Sequence, residues 1–339
     1  MQPQLLIIHQ GAIGDLILSL PSLYAIRTTF RGYHIEALGY PQTLSLLHQR
    51  FYVESITSID RALFAALYRD EKTDDAALIN YFERFERIFL FGGRKHARVA
   101  RIIKSLTYAS VVRIDPFPED TSIHVIDYQL KQVKQGGVQP SLTVPMLFPT
   151  ATDVEQASCL LASRGVIIPD DIVIAVHPGS GSNRKNMPAE HFVACLKYLS
   201  GQQKCWVLLI QGPADEAECR QIEQLCSGVH LIKADKFELP LLAALIQHCH
   251  VYIGNDSGIT HMAAALGVPT IALFGPTDPR VWGPRGKAVC IMQAESDHCG
   301  LRWPMSDMVA EKAMTFLATN QSSFPALSAP SVDKSFNLP

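Results

Sequence analysis

The chain has 339 residues, enough for about two domains of ordinary size, each with its own core. With 47% hydrophobic and 18% charged residues, 21 glycines and 21 prolines, the composition excludes a disordered, fibrous or small disulfide-stapled protein. A formal net charge of −2 excludes a chain built to coat nucleic acid, yet residues 1–150 hold 16 Lys/Arg against 14 Asp/Glu and residues 151–339 hold 14 against 18. The basic excess gathers in residues 84–113, where eight Lys/Arg face Glu86 alone.

In chain order, residues 5–9 read as a short strand that enters the turn Gly11-Ala12-Ile13-Gly14-Asp15, after which Leu16, Leu20, Leu23 and Ile26 recur at helical spacing. Further strands are predicted at 35–38, 87–91 and 110–113, with helices at 40–50, 62–68 and 95–106. Residues 139–152, with three prolines, read as a linker. The alternation then restarts with strands at 172–176, 206–211, 230–232, 251–254 and 269–274, and helices at 153–164, 189–200, 214–227, 239–248 and 258–266. A last helix is predicted at 306–317, followed by a disordered tail from 320 to 339, rich in Ser, Pro, Asn and Ala. The expected fold class is α/β: two Rossmann-like domains, 1–145 and 146–319, with parallel sheets facing a central cleft.

The eight cysteines all lie in the second half without CxxC spacing and read as reduced, buried thiols. His248-Cys249-His250 has no second cluster at ligand spacing, so no metal site is assigned. The opening residues lack a basic segment and are broken by His9, Gln10 and Gly11, which does not read as a signal peptide. Residues 257–277 are free of Asp, Glu, Lys and Arg, but Gly258, His261, Gly267 and Pro269 divide them into a short helix and a buried strand instead of a membrane span.

Three loops carry chemistry. The 11–15 turn offers free N–H groups at a helix start; its spacing is not that of a nicotinamide-binding turn. Asp15 fits either a helix-terminal acid favoured by the macrodipole or a general base. Residues 177–188 (HPGSGSNRKNMP) combine Gly and Ser donors with Arg184 and Lys185, as a phosphate-binding loop requires. Residues 254–261 (GNDSGITH) place Asp256, Ser257 and Gly258 at a helix start with His261 one turn on.

The segments LLIIHQGAIGDLILSLPSLYAIR, HPGSGSNRKNMP and YIGNDSGITHMAAALGVPTIALFGPTDP resemble glycosyltransferase family 9, the lipopolysaccharide heptosyltransferases of GT-B architecture. The resemblance covers most of residues 5–317 and implies inverting, metal-independent transfer of a sugar, heptose from ADP-heptose, to a lipopolysaccharide core or related glycan. It implies no cofactor beyond the nucleotide-sugar co-substrate. By motif position it makes Asp15 the base and Lys185 the diphosphate cation, with Ser180, Gly181 and Ser182 around the diphosphate. Asp256, Ser257, Gly258 and His261 would hold the phosphates and donor sugar, Glu216 beside Asp215 would meet the ribose, and residues 237–239 would border the base.

The first domain carries no motif that identifies the acceptor. Arg94, Lys95, Arg98 and Arg101, with Lys104, are candidate contacts for an anionic acceptor or for anionic headgroups of the inner membrane, at whose cytoplasmic face such an enzyme would work; a solvated helix face explains them equally. Alternatives are a same-fold transferase for another nucleotide sugar and polysaccharide, an epimerase, and a nucleotide-sugar-binding protein without catalysis. The epimerase is disfavoured because the loops fit the family as a set, and the binding protein because it has no need of a base.

Overall fold

The computed structural model describes residues 2–68, 75–297 and 300–319, so the 320–339 tail and Cys299 lie outside the described residues. The chain divides into a first unit running through Val144 and a second beginning at Pro145.

The first unit is built on a five-stranded parallel sheet: β1 (Gln4–His9), β2 (His34–Gly39), β3 (Ser55–Ser58), β4 (Arg87–Phe91) and β5 (Ser110–Ile114), ordered β3-β2-β1-β4-β5. Apolar side chains of β1, β2 and β4, among them Leu6, Ile8, Leu38, Ile88 and Leu90, pack with Phe64, Phe82, Ile103 and Leu106. Each large side chain buried in this way stabilises the fold by about 1.5–3 kcal/mol. The order reverses between β1 and β4, where His9 lies opposite Phe91, so residues 10–12 and 92–96 leave the sheet side by side. Such reversals open the crevices in which α/β sheets bind ligands.

The second unit holds a six-stranded parallel sheet of β6 (Ile172–His177), β7 (Cys205–Gln211), β8 (His230–Asp235), β9 (Val251–Asn255), β10 (Thr270–Phe274) and β11 (Val289–Gln293), ordered β11-β10-β9-β6-β7-β8. Strands β9 and β10 are buried along their whole length, as a sheet covered on both faces requires. Ile174, Val207, Ile253 and Leu273 pack with Phe192, Leu196, Ala310 and Ala313. The reversal here falls between β6 and β9, with His177 opposite Gly254, which brings loop 178–188 beside residues 256–257. A two-stranded antiparallel ribbon, β12 (Glu295–Asp297) and β13 (Gly300–Arg302), precedes the last helix, Ser306–Thr319.

Several elements differ from the sequence reading. The helix expected at 40–50 is only Pro41–Leu44, after which the chain turns and bridges His48 to Val53. Residues Ala62–Tyr68 form a 3-10 helix, and the 95–106 helix is a 3-10 turn, Arg94–His96, followed by the α-helix Ala97–Leu106. Helices Ala76–Phe82 and Val125–Gln135 and strands β3 and β11 were not expected; β3, Ser-Ile-Thr-Ser, is a partly buried edge strand without the apolar run of the inner strands, while β11, Val-Cys-Ile-Met-Gln, is apolar but also only partly buried at its sheet's edge. The linker ends earlier than read, because Thr150 caps the helix Ala151–Ser163: its hydroxyl accepts from Asp153 N–H, and Asp153 accepts from Thr150 N–H.

Candidate functional site

At the end of β1 the helix Ile13–Thr29 begins without a capping side chain at Ala12, and Asp15 supplies the missing acceptor: its Oδ2 takes the Ala12 N–H at 3.0 Å. A Cβ on Gly11 would come within 2.6 Å of Asp15 Cβ, so only glycine leaves room for that carboxylate. Beneath the turn, buried His9 accepts from Gly11 N–H at Nδ1 (3.3 Å), its Nε2 faces Ser19 Oγ (3.3 Å), and Ser19 donates to the Asp15 carbonyl (2.8 Å). With Nδ1 accepting, the proton sits on Nε2. Burial pushes His9 down to about 4, which keeps it neutral. Burial also raises Asp15 above its ordinary value, with the Ala12 N–H pulling the other way. The macrodipole reading and the base reading are thus compatible: Asp15 caps its helix through one oxygen and is a carboxylate of raised basicity.

The second unit gathers three loops on one carboxylate. Asp256, at the end of β9, accepts at Oδ2 from Lys185 Nζ (2.7 Å) and from Thr277 Oγ1 (2.6 Å). Lys185 closes the 3-10 turn Asn183–Lys185, and Ser180 ties the loop internally by donating to the Ser182 carbonyl and accepting its N–H. Gly181 is open to solvent: nothing lies within 4 Å of where its Cβ would stand. Next to Asp256, Ser257 caps the helix Gly258–Ala265. The free amides of that first turn carry the positive end of the helix dipole, an arrangement that favours an anion. His261 is buried within this helix at 6% exposure.

Behind these loops runs a buried polar chain that sequence reasoning missed. Asp215 Oδ2 faces His177 Nε2 at 3.2 Å, His177 Nδ1 faces Ser257 Oγ at 3.1 Å, and Ser257 faces Thr260 Oγ1 at 3.1 Å. Thr260 also donates to the Asn255 carbonyl, and Tyr252 OH lies 3.0 Å from its hydroxyl. Burial alone would raise Asp215, but the His177 bond and the Gly212 N–H outweigh it and hold the carboxyl below its ordinary value. Asn255 fixes loop 178–188 from below, accepting from Met187 N–H and donating to the Pro178 carbonyl. Among the described residues, both polar atoms of the Asn186 amide are buried and find no hydrogen-bond partner. Buried amides are seldom left so. The only sequence signal for Asn186 was its place between Lys185 and Met187.

Glu216 opens the helix Glu216–Leu225, is exposed, and pairs with Arg220 at 2.6 Å. It is therefore available where Asp215 is not. Phe237 is half-buried and follows Lys236, whose φ of 58° turns the chain before the helix Leu239–Gln247. In the first unit Arg94, Lys95 and Arg101 are exposed and Arg98 is half-buried; Arg94 pairs with Glu119.

The side chains of 248–250 are engaged elsewhere: His248 Nε2 lies 3.0 Å from Ser158 Oγ, His250 Nδ1 accepts from Val173 N–H, and Cys249 Sγ faces the Leu245 carbonyl. Among the described residues no group of three or more His, Cys, Asp or Glu could hold a metal ion, and no helix is long and apolar enough to cross a membrane. Among the described residues the free cysteines are buried except Cys159, on the solvent side of its helix, and half-buried Cys290.

Residues 137–303 match the family glycosyltransferase family 9 (heptosyltransferase). The chain is 25% identical over 301 residues to lipopolysaccharide heptosyltransferase 3 of Escherichia coli, covering 80% of this chain and 83% of the relative. Its fold is similar to that of a family 9 glycosyl transferase from Veillonella parvula (TM-score 0.78, 21% identity, 94% of this chain and 99% of that one). It is also similar to E. coli ADP-heptose lps heptosyltransferase II (TM-score 0.71, 18% identity, 94% and 100%). The two parallel sheets are those of the GT-B heptosyltransferases, and residues 137–303 are those of glycosyltransferase family 9, which makes the chain a glycosyltransferase.

Proposed function

We propose that this enzyme transfers a heptose from ADP-heptose to a hydroxyl of a lipopolysaccharide core glycan, with inversion and without a metal or other cofactor. The observation that carries the reading is the meeting of Lys185, Thr277 and the Ser257-capped helix start on Asp256. A cation and a set of helix amides stand together there, which is what a departing diphosphate needs.

In this reading the diphosphate takes Lys185 Nζ as partner and lies against the amides of Gly258 and Ile259. Gly181 and Ser182 let it approach the loop backbone, and Ser180 holds that loop in shape. Asn186 offers its unpaired amide to the donor, His261 lies one turn along the helix from the phosphates, and Glu216 accepts from the ribose hydroxyls. Asp256 holds Lys185 in place by its charge. Asp15 takes the proton of the acceptor hydroxyl as its oxygen attacks the anomeric carbon, while the carbon–oxygen bond to ADP breaks and its electron pair leaves with the diphosphate. Inversion requires base and leaving group on opposite sides of that carbon. The raised basicity of Asp15 suits proton removal near neutral pH. Arg94, Lys95, Arg98 and Arg101 contribute positive charge toward an anionic acceptor presented at the cytoplasmic face of the inner membrane.

The test is a binding screen of ADP-, UDP- and GDP-sugars by calorimetry. Binding confined to the ADP-sugars supports the reading; preference for UDP- or GDP-sugars points to the same-fold transferase of another polysaccharide.

A further inference from the structure

We infer that Tyr40, Gln10 and Tyr68 form the platform on which a pyranose ring of the acceptor glycan rests before its hydroxyl meets Asp15, an inference that rests on the reaction proposed above. Strand register brings these residues together. His9 of β1 lies opposite Gly39 of β2, so Gln10 and Tyr40, each the next residue, leave the sheet as neighbours. Tyr68, at the end of the 3-10 helix Ala62–Tyr68, receives a hydrogen bond from Gln10 Nε2 on its hydroxyl. Its phenol is raised chiefly by partial burial, and the Tyr40 phenol is near enough to add to the effect.

Both rings are nonetheless open, Tyr40 at 45% and Tyr68 at 50% exposure, in a unit whose other sheet-end aromatic, Phe91, is buried. Two half-exposed phenols, the Tyr68 hydroxyl held by the Gln10 carboxamide, offer flat apolar faces edged with donors and acceptors. Sugar rings present the matching surface, apolar C–H faces ringed by hydroxyls, and tyrosine supplies such contact at little conformational cost. Gln10 is also the residue that leads into the Gly11 turn, where Asp15 caps the helix. On the other side of β1, residues 92–96 bring Arg94 and Lys95 to the same end of the sheet. Aromatic faces and a base therefore flank a turn with cations beyond it, which fits an anionic glycan and no nucleotide-binding role.

The test uses core glycan freed of lipid from the lipopolysaccharide of cells lacking this gene, which ends where the enzyme's own sugar would be added. Its binding to the full chain is measured by calorimetry without donor, for wild type, Tyr40→Ala, Tyr68→Ala and Tyr68→Phe, with unfolding temperature and ADP affinity as controls. Each alanine variant is expected to raise the glycan Kd about tenfold or more, Tyr68→Phe to stay within about threefold, and ADP affinity to hold throughout. Glycan affinity within about twofold of wild type in both alanine variants, or no glycan binding by wild type, overturns the platform. Sugar transfer with tyrosine-independent glycan binding rejects the platform alone. Tyrosine-dependent glycan binding without transfer from any nucleotide sugar keeps it and rejects the reaction.

Discussion

Lys185 and Asp256, 71 residues apart in sequence, hold each other at 2.7 Å, with the lysine side chain 31% exposed and the aspartate 7%. The buried carboxylate keeps the cation oriented, while the cation's exposure leaves it able to take a second partner. Lys185→Ala is expected to weaken ADP binding by about 1.5–3 kcal/mol, the range of a hydrogen bond to a charged group. Calorimetry checks this, and an unchanged ADP affinity would remove Lys185 from the diphosphate. Asp256→Asn keeps an acceptor for Thr277 but loses the ion pair, so it should weaken ADP binding through a misplaced lysine.

Asp15→Asn is expected to abolish transfer while ADP affinity stays within about threefold, because the substitution keeps an acceptor for Ala12 N–H and removes the base. Its stability follows from the sign of the shift. Folding raises the Asp15 pKa, so the associated stability is present below the ordinary value and is lost as pH rises through the folded one. At neutral pH the ionised carboxylate costs stability, and the asparagine variant should unfold at the same or a higher temperature. In wild type the transfer rate should fall on acidification at a pH above the ordinary carboxylate value of 3.8. A lower unfolding temperature together with lost ADP binding would make Asp15 structural.

Gly179 and Gly181 separate packing from binding within one loop. A Cβ at 179 would stand 2.3 Å from Asp215 Cγ, inside a buried cluster, whereas at 181 it meets nothing within 4 Å. Gly179→Ala is expected to destabilise the second unit by several kcal/mol, since overpacking costs about 1–3 kcal/mol even where neighbours can shift. Gly181→Ala should unfold like wild type and lose ADP affinity. Parallel thermal unfolding and calorimetry distinguish the two; wild-type ADP affinity in Gly181→Ala would take that residue out of the site.

The His177–Asp215 pair predicts a pH-dependent stability. The Asp215 pKa is lowered on folding, so its contribution is present above the ordinary 3.8 and is lost as pH falls through the folded value. Asp215→Asn should therefore be less stable than wild type at pH 7, with the gap closing under more acid conditions. His177→Ala, which strips both Asp215 and Ser257 of a buried partner, should cost about 2–3 kcal/mol. Urea unfolding across pH measures both, and a gap that does not change with pH would contradict the assignment.

The legible parts of this chain are those where local pattern and tertiary demand agree. The inner strands β1, β4, β6, β7, β9 and β10 are apolar runs because helices cover both faces, and their ends were read closely. The edge strand β3, Ser-Ile-Thr-Ser with every residue half-buried, has no such run. The helix expected at 40–50 stops at Leu44 because spacing alone does not show that the chain must turn back at His48 to bridge Val53, whereas the helix at 62–68 keeps its bounds and differs only in tightening to a 3-10 helix. At the site, Asp256, Ser257 and Lys185 were visible as residue types in glycine-rich loops. Their mutual bonds, and the buried chain from Asp215 through His177 to Thr260, depend on strand order: only the reversal between β6 and β9 sets His177 opposite Gly254. Asn186 was invisible because its distinction is a missing partner, which no sequence pattern records.

Transfer with Asp15 as its base is read out by incubating the purified chain, in buffer with a metal chelator, with ADP-heptose and lipopolysaccharide from cells lacking the gene, and weighing the product glycan. Wild type should add one heptose to the glycan and Asp15→Asn none. No gain with wild type, or an equal gain with Asp15→Asn, would contradict it.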